Sequence, residues 1–129
     1  MTPTADLEIM GSRASMAITA IIDTGFDGYV CLPTSIAVQL GLELVSQGSV
    51  ELADGTVKTE LLFAGSVQFL GGTRAVQIYL TESEDALIGT SLLADCRLLI
   101  DFRAGTVRLS RKPPVRLGSA DLPVASSRP

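Results

Sequence analysis

The chain has no histidine and no tryptophan among its 129 residues, and only two cysteines. Without imidazole, neither a Ser-His-Asp nor a Cys-His arrangement can be assembled, and metal sites with imidazole ligands are excluded as well. Two thiols, Cys31 and Cys96, are too few for a disulfide framework or a four-thiolate zinc site. They read as small buried apolar side chains in a reducing compartment. Positive charge is also scarce, and a formal net charge of −4 gives no footprint for nucleic acid or an anionic membrane. No apolar run approaches the roughly 20 residues that cross a bilayer. Residues 1–6 lack the basic start and apolar stretch of a signal peptide, so a cytoplasmic location is expected. Carboxylates are left as the acid–base groups.

What the chain does have is apolar material: 47% of residues are hydrophobic against 19% charged, which argues for a folded core rather than a disordered chain. The length suits one domain, not two. Its organising stretch is Ala20-Ile21-Ile22-Asp23-Thr24-Gly25-Phe26-Asp27-Gly28. A β-branched run delivers a carboxylate to a strand end, and a glycine then turns the backbone away. Asp23 is thereby held rather than freely solvated. Thr24 offers a hydroxyl donor, and Gly25 lets other backbone come close.

In chain order, Leu7 and Ile9, then Met16 and Ile18, alternate on either side of Gly11-Ser12, predicting a hairpin that leads into the Asp23 strand. Tyr29-Val30-Cys31-Leu32 reads as a short buried strand. Pro33-Thr34 opens a brief packing helix with Ile36, Ala37 and Leu40 on one face and Gly41 as its stop. Val50 and Leu52 alternate up to Asp54-Gly55, and Val57 onward alternates back toward Leu61 and Phe63. Asp-Gly in that setting predicts a protruding hairpin with a type I′ turn. Gly71-Gly72 marks another turn before a strand through Val76, Ile78 and Leu80, and an acidic loop follows. Ala86-Leu87-Ile88-Gly89 reads as a buried strand whose glycine admits another segment close to the backbone. Beyond it a short helix capped by Thr90 or Ser91 is expected, then a final strand ending at Asp101-Phe102.

Taken together, Ile21-Ile22-Asp23-Thr24-Gly25, the hairpin around Asp54-Gly55, and Leu87-Ile88-Gly89 with Leu92-Leu93 resemble a retropepsin-like aspartic protease in order and spacing. The resemblance spans about Leu7 to Leu109. It implies a mainly β, closed barrel-like fold with a flap hairpin and one short C-terminal helix, occupying residues 1–110. Residues 111–129, with Pro113, Pro114 and Pro123, read as a flexible or extended tail. The resemblance further implies that Asp23 is the catalytic aspartate, that Thr24 bonds across to a partner chain, and that the Gly25 backbone lets a donor reach the carboxylate. Substrate contacts would come from Phe26, Asp27 and Gly28, from the flap residues Leu52, Ala53, Asp54 and Gly55, and from Leu87 in a side-chain pocket. Ile88 and Gly89 would support the active-site loop. Phe26 stands where retroviral members have a small residue, and Thr90 where an arginine often pairs with the acid at the Asp27 position.

Aspartic protease chemistry needs two carboxylates, yet only one Asp-Thr-Gly occurs in the chain. An active enzyme is therefore expected to be a homodimer, with two Asp23 side chains about 3 Å apart sharing one proton. Its substrate would be peptide or protein, and no metal or organic cofactor is required. Two other readings stay open on the residues alone: a non-catalytic dimerisation or peptide-binding module of the same fold, and a plain structural β domain.

Overall fold

A computed structural model of the chain describes residues 1–111. Strands β1 (Thr4–Met10) and β2 (Ser15–Ile22) form the expected first hairpin, in register from Thr4 opposite Ile21 to Met10 opposite Ser15. Strand β3 (Val30–Pro33) runs straight into helix α1 (Thr34–Leu40). Gly41 stops the helix in a left-handed conformation, φ 69°, and its N–H returns to the carbonyls of Ala37 and Val38. Then come β4 (Glu43–Glu51), β5 (Val57–Phe69), β6 (Gly72–Thr81), the two-residue β7 (Leu87–Ile88), β8 (Cys96–Asp101) and β9 (Thr106–Arg111).

Seven strands make one sheet in the order β1-β2-β7-β3-β6-β5-β4, and β1 also pairs with β5 through Glu8–Met10. The sheet therefore curls back on itself, with its concave side filled by the apolar residues of each alternating strand. Ile9, Val30, Leu32, Val67, Ile78 and Ile88 are fully buried there, joined by Leu40 from α1 and by Leu92. Strands β8 and β9 form a separate two-stranded sheet. A lone hairpin of that kind is marginal in water, but Cys96, Leu98, Val107 and Leu109 pack one of its faces on the same core.

Four expectations need correction. The C-terminal helix is absent: residues 90–95 form successive turns, and α1 is the one helix among the described residues. Six residues are too few to offset helix nucleation; the N–H groups of Leu92 and Leu93 close local turns on the Gly89 carbonyl, while those of Thr90 and Ser91 bond to the Asp23 loop. The chain does not end its strands at Asp101-Phe102, because β9 pairs back along β8 across a turn closed by the Arg103 and Ala104 N–H groups on Asp101 Oδ1, both 3.0 Å. The β4–β5 turn is not type I′. Leu52 and Thr56 close it (N–H to O, 2.8 Å), and of the connecting Ala53, Asp54 and Gly55 only Gly55 has positive φ, 86°. This is the three-residue pattern, in which the side-chain-bearing positions avoid the left-handed region and the glycine takes it. Finally, Cys31 and Cys96 are free thiols of intermediate exposure rather than fully buried. The tail expected from residue 111 onward lies, beyond Arg111 itself, outside the described residues.

Candidate active site

Strand β2 carries Asp23 to the convex side of the sheet. Two parallel pairs, Ile21 with Leu87 and Ile22 with Ile88, fix the end of β2 against β7. The Ile21 N–H donates to the Ala86 carbonyl (2.8 Å) and the Asp23 N–H to the Ile88 carbonyl (3.0 Å). Ile22 and Ile88 point into the core, so alternation turns Ile21, Asp23 and Leu87 to the opposite face. Immediately after Asp23 the backbone folds tightly: the Phe26 N–H donates to the Asp23 carbonyl (3.1 Å) and the Gly25 N–H to Asp23 Oδ1 (2.9 Å). Asp23 is partly buried, while Thr24 and Gly25 beside it are exposed.

The loop that follows Asp23 is laced to the turns after β7. Gly89 donates to the Tyr29 carbonyl (3.0 Å), Thr90 to that of Phe26 (2.9 Å) and Ser91 to that of Gly28 (3.2 Å), all through backbone N–H. The Ser91 hydroxyl adds a bond to the Asp27 carbonyl at 2.5 Å, and the Thr90 hydroxyl a longer one to the Phe26 carbonyl at 3.4 Å. The two segments come so close that a Cβ on Gly89 would stand 2.5 Å from the Phe26 carbonyl oxygen. Close approach at Gly89 is thus what the glycine permits, as its position predicts. Thr90 and Ser91 read from sequence as helix caps; their hydroxyls instead brace the Asp23 loop, a long-range role within the chain that no local pattern signals.

Register extends the face that bears Asp23. Cys31 lies opposite Leu87 and beside Tyr79, and Tyr79 lies opposite Leu62. The Phe26 ring meets the Tyr79 ring edge to face, with centroids 6.1 Å apart and planes at 75°. Burial pushes the Cys31 thiol pKa up, and the Glu60 carboxylate on β5 adds to the rise, placing that carboxylate's field over the same face. Tyr79 and Glu60 carry no signal of this role in the sequence, and Cys31 reads there only as a buried apolar side chain; alternation in β3, β5 and β6 was visible, but which strands would be neighbours was not. Among the described residues no three His, Cys, Asp or Glu side chains gather as metal ligands would, and no described helix is long and apolar enough to cross a membrane.

Of the residues predicted to form a site, the Asp23 loop and β7 bring together Asp23, Thr24, Gly25, Phe26, Asp27, Gly28 and Leu87. Leu87 is partly exposed and Asp27 exposed. Leu52, Ala53, Asp54 and Gly55 sit apart at the tip of the β4–β5 hairpin, all exposed. Their hydrogen bonds are local. Asp54 Oδ1 accepts the Thr56 hydroxyl (2.6 Å) and the Thr56 N–H (3.0 Å), which together hold its carboxyl below the usual carboxylate range.

Solved structures with this fold include the EIAV protease complexed with the inhibitor HBY-793, at 18% identity and a TM-score of 0.57, covering 74% of this chain and 88% of that one. The simian foamy virus (mac) protease is also similar, at 14% identity and a TM-score of 0.56, covering 71% of this chain and 92% of that one. A comparison with curated protein sequences gives no match. At such identities the structural likeness establishes a retropepsin-like fold. The aspartyl protease family profile, by contrast, matches the sequence itself over residues 5–92, more than half of the chain. That span holds both the Asp-Thr-Gly loop and the Leu87-Ile88-Gly89 segment laced to it, and on this ground the chain belongs to the aspartyl protease family.

Proposed function

We propose that the protein is an aspartic endopeptidase that works as a homodimer, with a peptide bond hydrolysed between two Asp23 side chains. The observation that carries this is a single Asp-Thr-Gly in the whole chain, whose carboxylate is tied through Oδ1 to the Gly25 N–H and flanked by exposed Thr24 and Gly25. One carboxylate cannot act as both base and acid in the same step. A second copy, related by a twofold axis through this exposed corner, supplies its mate.

Two carboxyl groups about 3 Å apart hold one proton between them, because both cannot ionise at that distance. The ionised member takes a proton from water as the oxygen attacks the scissile carbonyl carbon. The protonated member donates to the carbonyl oxygen and stabilises the tetrahedral intermediate. Collapse of that intermediate breaks the C–N bond, and the amine leaves with a proton from the pair. Substrate lies extended between the Asp23 loop and the β4–β5 hairpin, which covers it as an added strand and excludes water. Thr24 braces the two loops across the interface, and Leu87 lines a pocket for an apolar side chain.

Cleavage of a mixed peptide library at mildly acidic pH, wild type beside Asp23→Asn, tests the reading. Wild type is expected to cut and the variant not to, with activity falling as pH rises far enough to remove the shared proton. Cleavage that survives Asp23→Asn overturns it.

A further inference from the structure

Just past Asp23, the chain folds an aromatic ring back over its own loop. Both ends of Phe26 are held, its N–H by the Asp23 carbonyl at 3.1 Å and its carbonyl by the Thr90 N–H at 2.9 Å. Its ring lies against two glycines. A Cβ on Gly28 would stand 2.5 Å from Cζ and 2.7 Å from Cε1 of Phe26, and a Cβ on Gly89 would stand 2.7 Å from Cδ2. No side chain tolerates such distances, so the ring occupies this place only because both positions lack one. Tyr79 packs on the ring edge to face, and the same Cβ on Gly28 would stand 3.2 Å from its Cε2.

The position of this ring pair is fixed relative to the candidate cleft. Tyr79 neighbours Cys31, Cys31 neighbours Leu87, and Leu87 pairs with Ile21 on the strand that ends at Asp23. The Phe26 ring, packed on Tyr79, therefore stands on the same face as Asp23 and Leu87 and forms a wall of the surface along which a peptide centred on Asp23 would run. An extended peptide advances ~3.3 Å per residue, so this wall faces a side chain within about two residues of the bond over Asp23.

Resting on the peptidase reading above, we propose that Phe26, backed by Tyr79, is a fixed plug that limits the substrate side chain at this wall to the size of glycine, alanine or serine. In a twofold-symmetric dimer each copy contributes one plug, so the restriction falls at matching positions on both sides of the cut bond. The substrate class is then an extended peptide with two small residues placed symmetrically about the cleavage site.

The test maps cleavage sites by mass spectrometry in one peptide library treated with full-length wild type, Phe26→Ala, Phe26→Leu and Asp23→Asn. Wild type is expected to show small residues at one position on each side of the cut. Phe26→Ala should admit leucine, isoleucine and phenylalanine at those same positions, raising the large-to-small ratio at least about tenfold, the scale of a few methylenes of pocket space. Phe26→Leu, which keeps apolar volume in the loop and guards against misfolding of the alanine variant, should give a smaller shift in the same direction. Asp23-dependent cleavage with large residues already accepted at these positions, or with a profile unchanged in both Phe26 variants, overturns the plug and leaves the peptidase reading intact. Absence of cleavage by wild type, or cleavage that persists in Asp23→Asn, overturns both.

Discussion

The Asp23 loop and the tip of the β4–β5 hairpin are both turns at strand ends, yet they are held in opposite ways. The loop is pinned by bonds from residues sixty or more positions away, namely Gly89, Thr90 and Ser91, over a backbone contact that only glycine allows. The tip is closed by bonds among Leu52, Asp54, Gly55 and Thr56 alone, and all four residues are exposed. A region held by distant partners moves only when the fold opens, whereas one held by its neighbours can move by itself. A peptidase needs both: catalytic groups held in fixed geometry, and a cover that lifts to admit and release peptide.

Variants can break this contrast from either side. The largest effect is expected at Asp23 itself, where Asp23→Asn should lower the cleavage rate by ~10²–10⁴-fold or more, the scale of a lost general acid–base group, while thermal unfolding stays near that of wild type. Next comes Gly89→Ala, which forces a methyl group against the Phe26 and Gly28 carbonyls. Its cost should be about 3 kcal/mol, seen as a clearly lowered Tm and a loss of activity together, because both segments of the loop must part. Ser91→Ala removes one hydroxyl bond to the Asp27 carbonyl. Calorimetry should find about 1 kcal/mol, with activity reduced more than stability if loop geometry is what that bond protects.

The smallest effect belongs to the hairpin tip. Bonds from the Thr56 hydroxyl and N–H lower the Asp54 pKa below its ordinary 3.8. The sign follows from linkage: a depressed folded pKa contributes stability that is complete above 3.8 and is lost as pH falls through the lower, folded value. Amide exchange at Thr56 should therefore quicken below about pH 4 after correction for intrinsic rates, while the amides of Thr90 and Ser91 keep their protection. Equal loosening of both regions would erase the distinction drawn between them.

Much of the first region was legible in the sequence because its signals are local. Three core-type residues before Asp23, the glycine after it, and the glycine behind Leu87-Ile88 each state a backbone requirement that the structure meets. Both hairpins, the brief helix and its Gly41 stop were readable for the same reason. What escaped was set by tertiary partners. Thr90-Ser91 before Leu92-Leu93 has the pattern of a capped helix, but the hydroxyls that would cap it donate instead to the Phe26 and Asp27 carbonyls. Tyr79 shares the face of Cys31, Leu87 and Asp23 only because β6 lies next to β3, a parallel neighbour that no periodicity reveals. The alternation of Val107 and Leu109 after Gly105 was a signal for β9 that could have been used.

Mixing wild type with Asp23→Asn in increasing proportion, with subunits allowed to exchange, reads directly whether one site uses the carboxylates of two chains. If it does, activity at a fixed total concentration follows the square of the wild-type fraction, leaving about one quarter in an equimolar mixture. A fall in simple proportion, to about one half, would mean that each chain works alone and would contradict the account.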